Sequence, residues 1–243
     1  MDGLDLTAPD VTPRDSDTPG FDLVIFDCDG VLIDSEIISA RMLIAELGRL
    51  GVQIDLDFVA RNFLGRSYPT VMSQIRREFG LDLPKDFEDQ YRERLLEGFR
   101  RDLKVMPGVP DVLDTLSVPF CVATSSSPRR SRMSLDLTGL AGRVGDRLYT
   151  ASEVAHGKPA PDLFLLAAAR MRADPARTLV IEDSLTGIRA GLAAGMTVWR
   201  FVGGSHFRAG GTTPEEPEDA RPHHRFDDFA NFFHIAPGLQ RAQ

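Results

Sequence analysis

Apolar residues follow two rhythms along this chain. Phe21–Phe26, "FDLVIF", is a nearly continuous apolar and β-favouring run, the pattern of a strand covered on both faces. From Asp34 to about Gly51 the rhythm changes. Ile37, Ile38, Met42, Ile44, Ala45 and Leu47 recur at helical spacing, and Asp34 or Ser35 can cap the start. Further helices are predicted near Asp55–Phe63, Thr70–Phe79 and Lys85–Arg101, with no strand candidate between Asp34 and Leu103. After the Pro-Gly turn of "MPGVPDVLDTL", strands and helices alternate. "PFCVATSSSP" is a strand and turn, Arg129–Leu137 a helix, Arg147–Thr150 a strand, and Asp162–Met171 a helix. "TLVIEDS" is then a strand, "LTGIRAGLAAG" a helix and "MTVWRF" a strand. This order predicts an α/β core built on a doubly wound parallel sheet with right-handed crossovers, interrupted early by an all-helical block. Residues 203–243 are expected to be loop apart from a short helix in "FDDFANFF", and residues 1–20 a disordered arm.

In an open parallel sheet, ligands bind beyond the carboxyl ends of the strands. Here those ends are polar. The first strand ends in Asp27, Cys28 and Asp29, and the second in Thr124, Ser125, Ser126 and Ser127. The loop after the third carries Lys158 and Pro159, and the fourth ends in Glu182, Asp183 and Ser184. Taken singly, a DxDG is a turn, a serine run is a helix cap and a "KPAPD" is a solvated loop. Their joint appearance at successive strand ends points to one site.

Composition narrows the chemistry. Of 243 residues 42% are hydrophobic, enough for a sizeable core, and 28 Lys and Arg against 36 Asp and Glu give a net charge of −8. That balance argues against a nucleic-acid binder. There is no apolar run of about 18 residues, so no membrane span is expected. The acidic, Pro-containing N-terminus does not resemble a signal peptide. Cys28 and Cys121 lie in apolar runs and are expected to be buried hydrophobes in a reducing cytoplasm. Carboxylates converging on one edge repel unless a cation sits among them. Oxygen-only ligands select a hard ion, Mg2+. A serine-rich turn entering a helix offers donors to an anion, and a lysine adds a point charge. Together they describe phosphoryl transfer to a carboxylate.

The chain here resembles the haloacid dehalogenase superfamily of phosphohydrolases, in its branch with a helical cap. "DCDGV" matches the nucleophile motif, "VATSSS" resembles the hydroxyl motif, "GKPAPD" the lysine motif and "VIEDSLTGIRAG" the last acidic motif, in that order. The spelling "FDCDGVLIDSE" is closest to the β-phosphoglucomutase and sugar-phosphatase group. The resemblance implies a Rossmann-like core over residues 21–34 and 103–243 and a cap over residues 35–102. It implies that Asp27 is the nucleophile and Asp29 the general acid and base, with Asp29 binding the metal through its backbone carbonyl. Asp27, Asp183 and Glu182 complete the metal set, and Lys158 neutralises the phosphoryl oxygens. Thr124 or Ser125 is the motif hydroxyl, with Ser126 beside them as a further phosphate contact. The cap loop "FLGRSYP" supplies Gly65, Arg66 and Ser67 as specificity elements. In relatives of this group the Lys158–Pro159 bond tends to be cis.

Within the resemblance, the mutase carries a histidine twelve places after the nucleophile, where this chain has Ser39, and a cap arginine where it has Tyr68. Both absences favour hydrolysis, with the mutase as the alternative. A phosphonatase would need a cap lysine, and Lys85 in "PKDFED" looks solvated. A receiver-type signalling domain, which shares the chemistry, has no helical cap. The expected partner is a small phosphorylated metabolite, a sugar or sugar-acid phosphate, and the expected state is monomer or weak dimer.

Overall fold

The computed structural model describes residues 20–81, 83–84, 86–209 and 215–242. The predicted N-terminal arm, Gly20 apart, and the solvated position assigned to Lys85 lie outside the described residues.

The apolar runs become strands. β1 (Leu23–Phe26), β2 (Phe120–Thr124), β3 (Leu148–Thr150), β4 (Thr178–Glu182), β5 (Thr197–Phe201) and β6 (His224–Phe226) form a parallel sheet in the order β3-β2-β1-β4-β5-β6. Alternate side chains enter opposite layers, as the two-residue period of a strand requires. Val24 and Phe26 join Phe120, Val122, Leu179 and Ile181 on one face. Leu23 and Ile25 join Cys121, Ala123, Val180 and Val198 on the other. Cys28 belongs to the first cluster and Cys121 to the second, and both are free and buried. Burial pushes the Cys121 thiol up to about 12 and the Cys28 thiol well above its ordinary value.

Between β1 and β2 stand α1 (Glu36–Arg49), α2 (Leu56–Asn62), α3 (Tyr68–Phe79) and α4 (Phe87–Asp102), followed by α5 (Val109–Thr115). The first four share a separate apolar cluster that includes Leu43, Leu47, Val59, Met72, Ile75, Leu95 and Phe99. Each such fully buried side chain contributes about 1.5–3 kcal/mol. Buried Glu46 accepts from Arg49 and from Arg94, both at 2.6 Å, and the second bond ties α1 to α4. The two chain crossings into this block run side by side. Asp34 N donates to Lys104 O, and Met106 N to Leu32 O, both at 2.9 Å. Further helices of the core are α6 (Pro128–Leu137), α7 (Ala141–Val144), α8 (Asp162–Met171) and α9 (Leu185–Ala193).

Two expectations need correction. Among the described residues of 203–243 the short helix expected in "FDDFANFF" is present, ending in α11 (Phe232–Ile235), but the rest is not all loop: it also supplies α10 (Ser205–Arg208) and β6. β6 has three residues, two of them exposed, so it lacks the apolar run that signals a strand. It is held by register, Phe201 opposite Phe226, and by Phe226, Phe229 and Phe232 packing among themselves and against Phe201 and Trp199. Nor does Asp34 or Ser35 cap α1 through its side chain. Ser35 stands at the cap position, but its hydroxyl donates to Asp29 at 2.6 Å, and Asp34 accepts from Ser205 instead.

Phe26 pairs with Val122 on one side and Ile181 on the other. The residues that follow β1, β2 and β4 therefore emerge side by side, where the winding of the sheet reverses.

Candidate active site

Asp27 leaves β1 with its backbone N–H donating to Ile181 O at 2.9 Å. The turn that follows brings Asp29 back over the same edge. Gly30 permits this twice over. Its φ is +78°, and a Cβ there would fall 2.0 Å from Asp183 Oδ2.

Lys158 reaches in from the loop after β3, across a cis bond to Pro159. Its ammonium is buried, and its three donors meet three acceptors: Asp27 Oδ1 at 2.6 Å, Glu182 Oε1 at 2.5 Å and Ala123 O at 3.0 Å. Burial opposes the charge on Lys158, but Asp27 and Glu182 outweigh it and raise the ammonium above its ordinary value. Asp27 is raised well above the carboxylate range. Burial is the largest cause, with Glu182, Asp183 and Asp29 adding repulsion against the pull of Lys158. Glu182 also accepts from the backbone N–H groups of Asp183 and Ser184, each at 3.1 Å, and from the Ser184 hydroxyl at 3.0 Å.

Asp27, Glu182 and Asp183 offer oxygens that all lie within 4.8 Å of one another, in a buried trio. Three carboxylates against one ammonium leave a site short of positive charge, and Asp183 Oδ2 has no hydrogen-bond partner among the described residues. An all-oxygen, buried, charge-deficient trio fits a hard divalent cation. Burial first, then Glu182, drives Asp183 well above the carboxylate range without such an ion.

Asp29 lies in a different environment, and its carboxylate is not one of the trio. It accepts from Ser35 and Ser126 at 2.6 Å, from Arg130 at 2.7 Å and from Thr124 at 3.4 Å. Burial works against ionisation, but Arg130 and the hydrogen bonds from Ser126, Ser35 and Arg130 overcome it and hold Asp29 below its ordinary value. Ser125, the alternative hydroxyl, is turned to the helical block and donates to Gly65 O at 3.3 Å. Ser127 caps α6 by accepting from Arg130 N at 3.4 Å.

The loop between α2 and α3 docks onto this edge. Gly65 has a φ of +72°, and a Cβ would fall 2.2 Å from Ser184 Oγ. Arg66 is exposed, bonds Gln74 at 3.0 Å, and lines the tight crevice that holds Asp27 and Asp29. It also lines a neighbouring cleft of about 470 Å3 between the helical block and the core. Ser67, Tyr68, Tyr91 and Arg92 wall that cleft from one side and Ser125–Ser127, Arg129 and Arg130 from the other. A volume of this size suits a small metabolite. The Ser67 hydroxyl is shared with Thr70 at 2.8 Å.

Four residues at the site were not read from the sequence. Arg130 stands in the first turn of α6, directly after the serine run that ends β2, a place that could have flagged it. Arg200 is fully buried on β5 and donates to Asp183 O at 3.1 Å. His206 lies beside Asp183 on α10, the segment read as loop. Glu36 opens α1, and burial, then Asp29 and Asp183, raises it to about 8.

A parallel α/β sheet carrying a buried carboxylate–lysine centre at its switch point, covered by an inserted helical block, defines the class of protein. Residues 21–195 match the family model of haloacid dehalogenase-like hydrolases, and the chain belongs to that family. It is 28% identical over 184 residues to the 6-phosphogluconate phosphatase of Escherichia coli (strain K12), spanning 75% of this chain and 83% of the relative. Two solved structures share the fold and a substantial identity. One is a haloacid dehalogenase-like protein of unknown function from Agrobacterium tumefaciens str. C58, with TM-score 0.77, 33% identity and coverage of 90% and 99% of the two chains. The other is a family hydrolase from Deinococcus radiodurans R1, solved with phosphate and sodium, with TM-score 0.72, 30% identity and coverage of 93% and 100%. No helix among the described residues is long and apolar enough to cross a membrane.

Proposed function

We propose that the protein is a Mg2+-dependent phosphatase acting on a small phosphorylated metabolite, with a sugar or sugar-acid phosphate as the class. The observation that carries this reading is the pair of contrasting aspartates. Asp27 lies on the Lys158 ammonium at 2.6 Å, while Asp29 lies two residues away among hydroxyl and guanidinium donors. Asp27 attacks phosphorus and becomes an aspartyl-phosphate, and Lys158 balances charge on the phosphoryl oxygens. Asp27, Glu182, Asp183 and the Asp29 carbonyl are the groups that would hold Mg2+, which when bound neutralises the developing charge.

Asp29 protonates the leaving oxygen and then takes a proton from the attacking water. In the structure it is held as the base. The donors that hold it there, Arg130, Ser126 and Thr124, are also those an incoming phosphoryl group would recruit. Their transfer to substrate oxygens would raise Asp29 into the acid form needed for the first step.

Hydrolysis is favoured over the mutase alternative by Ser39 and Tyr68 at the two positions named above. Ser39 accepts from Arg130 at 3.3 Å. The relative's action on 6-phosphogluconate supports an acidic sugar phosphate among the first substrates to try. The test is inorganic phosphate release over a panel of sugar and sugar-acid phosphates, with Mg2+ and after chelation. Release from at least one compound, abolished by chelation, is expected. No release across the panel, or release indifferent to chelation, refutes it.

A further inference from the structure

His206 is more than nine-tenths buried, and neither of its ring nitrogens has a hydrogen-bond partner among the described residues. Asp183 Oδ2 is unpartnered in the same sense, and it lies 3.3 Å from His206 Nε2. Three buried polar atoms in one spot without a bond are costly, and a folded chain rarely keeps them without a reason. The segment that carries the ring is not loose. Ser205 donates to Asp34 Oδ1 through its backbone N–H at 3.1 Å and its hydroxyl at 2.8 Å. Asp34 itself hangs from the crossing between β1 and α1. Arg200 fixes the main-chain oxygen of Asp183 from the same side.

We propose that His206 is a positioning residue of the cation site. An imidazole in either charge state has an N–H. Nε2–H donates to Asp183 Oδ2 once the carboxylate turns to meet a cation, leaving the other oxygen for the ion. Partners of this kind, one shell out, orient a ligating carboxylate and tighten the metal. The proposal rests on the cation reading of the Asp27, Glu182 and Asp183 trio.

The experiment is isothermal titration of metal-free protein with Mg2+, for wild type, His206→Phe and His206→Gln, with thermal melts of the same proteins in chelator. Phenylalanine keeps the bulk and removes both nitrogens; glutamine restores a donor. His206→Phe is expected to weaken Mg2+ by about 10–100-fold, with His206→Gln recovering most of the loss and the metal-free melting temperature of His206→Phe not falling. An unchanged dissociation constant in His206→Phe overturns the proposal while leaving the cation site standing. A loss of affinity that tracks a fall in metal-free melting temperature, with no recovery in His206→Gln, makes the residue structural and overturns it too. Wild-type protein that binds no Mg2+ removes both this inference and the reading beneath it. Strong 14N coupling to bound Mn2+ by electron spin echo would put the imidazole on the metal itself and contradict the placement.

Discussion

Lys158→Met removes the ammonium that lies between Asp27 and Glu182 and leaves a chain of similar length. The Lys158 side chain is buried, and all three of its donors are used. Deleting one partner of a buried ion pair costs about 3–5 kcal/mol, because the other charge stays behind without compensation. In a domain of this size each kcal/mol moves the melting temperature by about 2–4 °C, so the metal-free variant should melt about 6–20 °C below wild type. The deficit depends on pH. The Asp27 carboxyl is raised on folding, by burial first, and Lys158 is the group that restrains the rise. A raised acid contributes stability below its unfolded pKa and loses it as pH climbs through its folded value. Without Lys158 the folded value climbs further, so more stability is lost as pH rises. The deficit should be smaller in an assay at about pH 5 than in one at about pH 8, the direction set by the raised Asp27. Added Mg2+ should stabilise the variant more than wild type, since it supplies positive charge where the ammonium was. Ligand at about 100 times its dissociation constant adds about 2.7 kcal/mol to a folded protein. Calorimetric melts in chelator and in Mg2+, at both pH values, check this. Equal melting temperatures for variant and wild type in chelator near pH 8 would refute the electrostatic account of the centre.

Asp29→Asn should keep the fold at lower stability, since it leaves Arg130 without its ion-pair partner, and lose about 10²- to 10⁴-fold in turnover, measured by phosphate release; near-normal turnover would remove Asp29 as the acid and base. Gly65→Ala would place a Cβ 2.2 Å from Ser184 Oγ at a positive φ, so the cap loop should fail to seat and KM should rise for every substrate; unchanged KM would show that this contact is dispensable. Arg66→Ala should change the ranking of sugar phosphates while sparing a small artificial phosphate ester, and equal losses on all of them would make Arg66 structural. Cys28 and Cys121 should resist a disulfide thiol reagent in the native protein and react in denaturant, because both are buried and their thiols are pushed up; rapid native labelling would contradict that burial.

The parts of the fold that could be read in advance are those where one local pattern dominates. β1, β2 and β4 are fully buried along their length, so each reads as a short apolar run, and its length and the turn residues that bound it mark it as a strand. The helix predicted at Asp162–Met171 matches α8 end to end, because a proline and an acidic residue mark its start. β6 has no such pattern. It exists because Phe226, Phe229 and Phe232 find Phe201 and Trp199, contacts between distant parts of the chain. The site divides in the same way. Asp27, Asp29, Lys158, Glu182 and Asp183 stand at strand ends or in a strand-end loop, where topology alone predicts convergence. Arg130 and His206 reach the edge from a helix flank and from the tail. Ser35 looked like a helix cap until Asp29, six residues earlier, took its hydroxyl.

The central claim is that Asp27 carries the phosphoryl group. Rapid-quench single turnover with a 32P-labelled substrate from the panel, in Mg2+, tests it most directly. The account predicts a transient protein-bound label, labile to hydroxylamine, on the peptide containing Asp27, and no label and no phosphate release in Asp27→Asn. Full phosphate release with no protein-bound label, and undiminished turnover in Asp27→Asn, would contradict it.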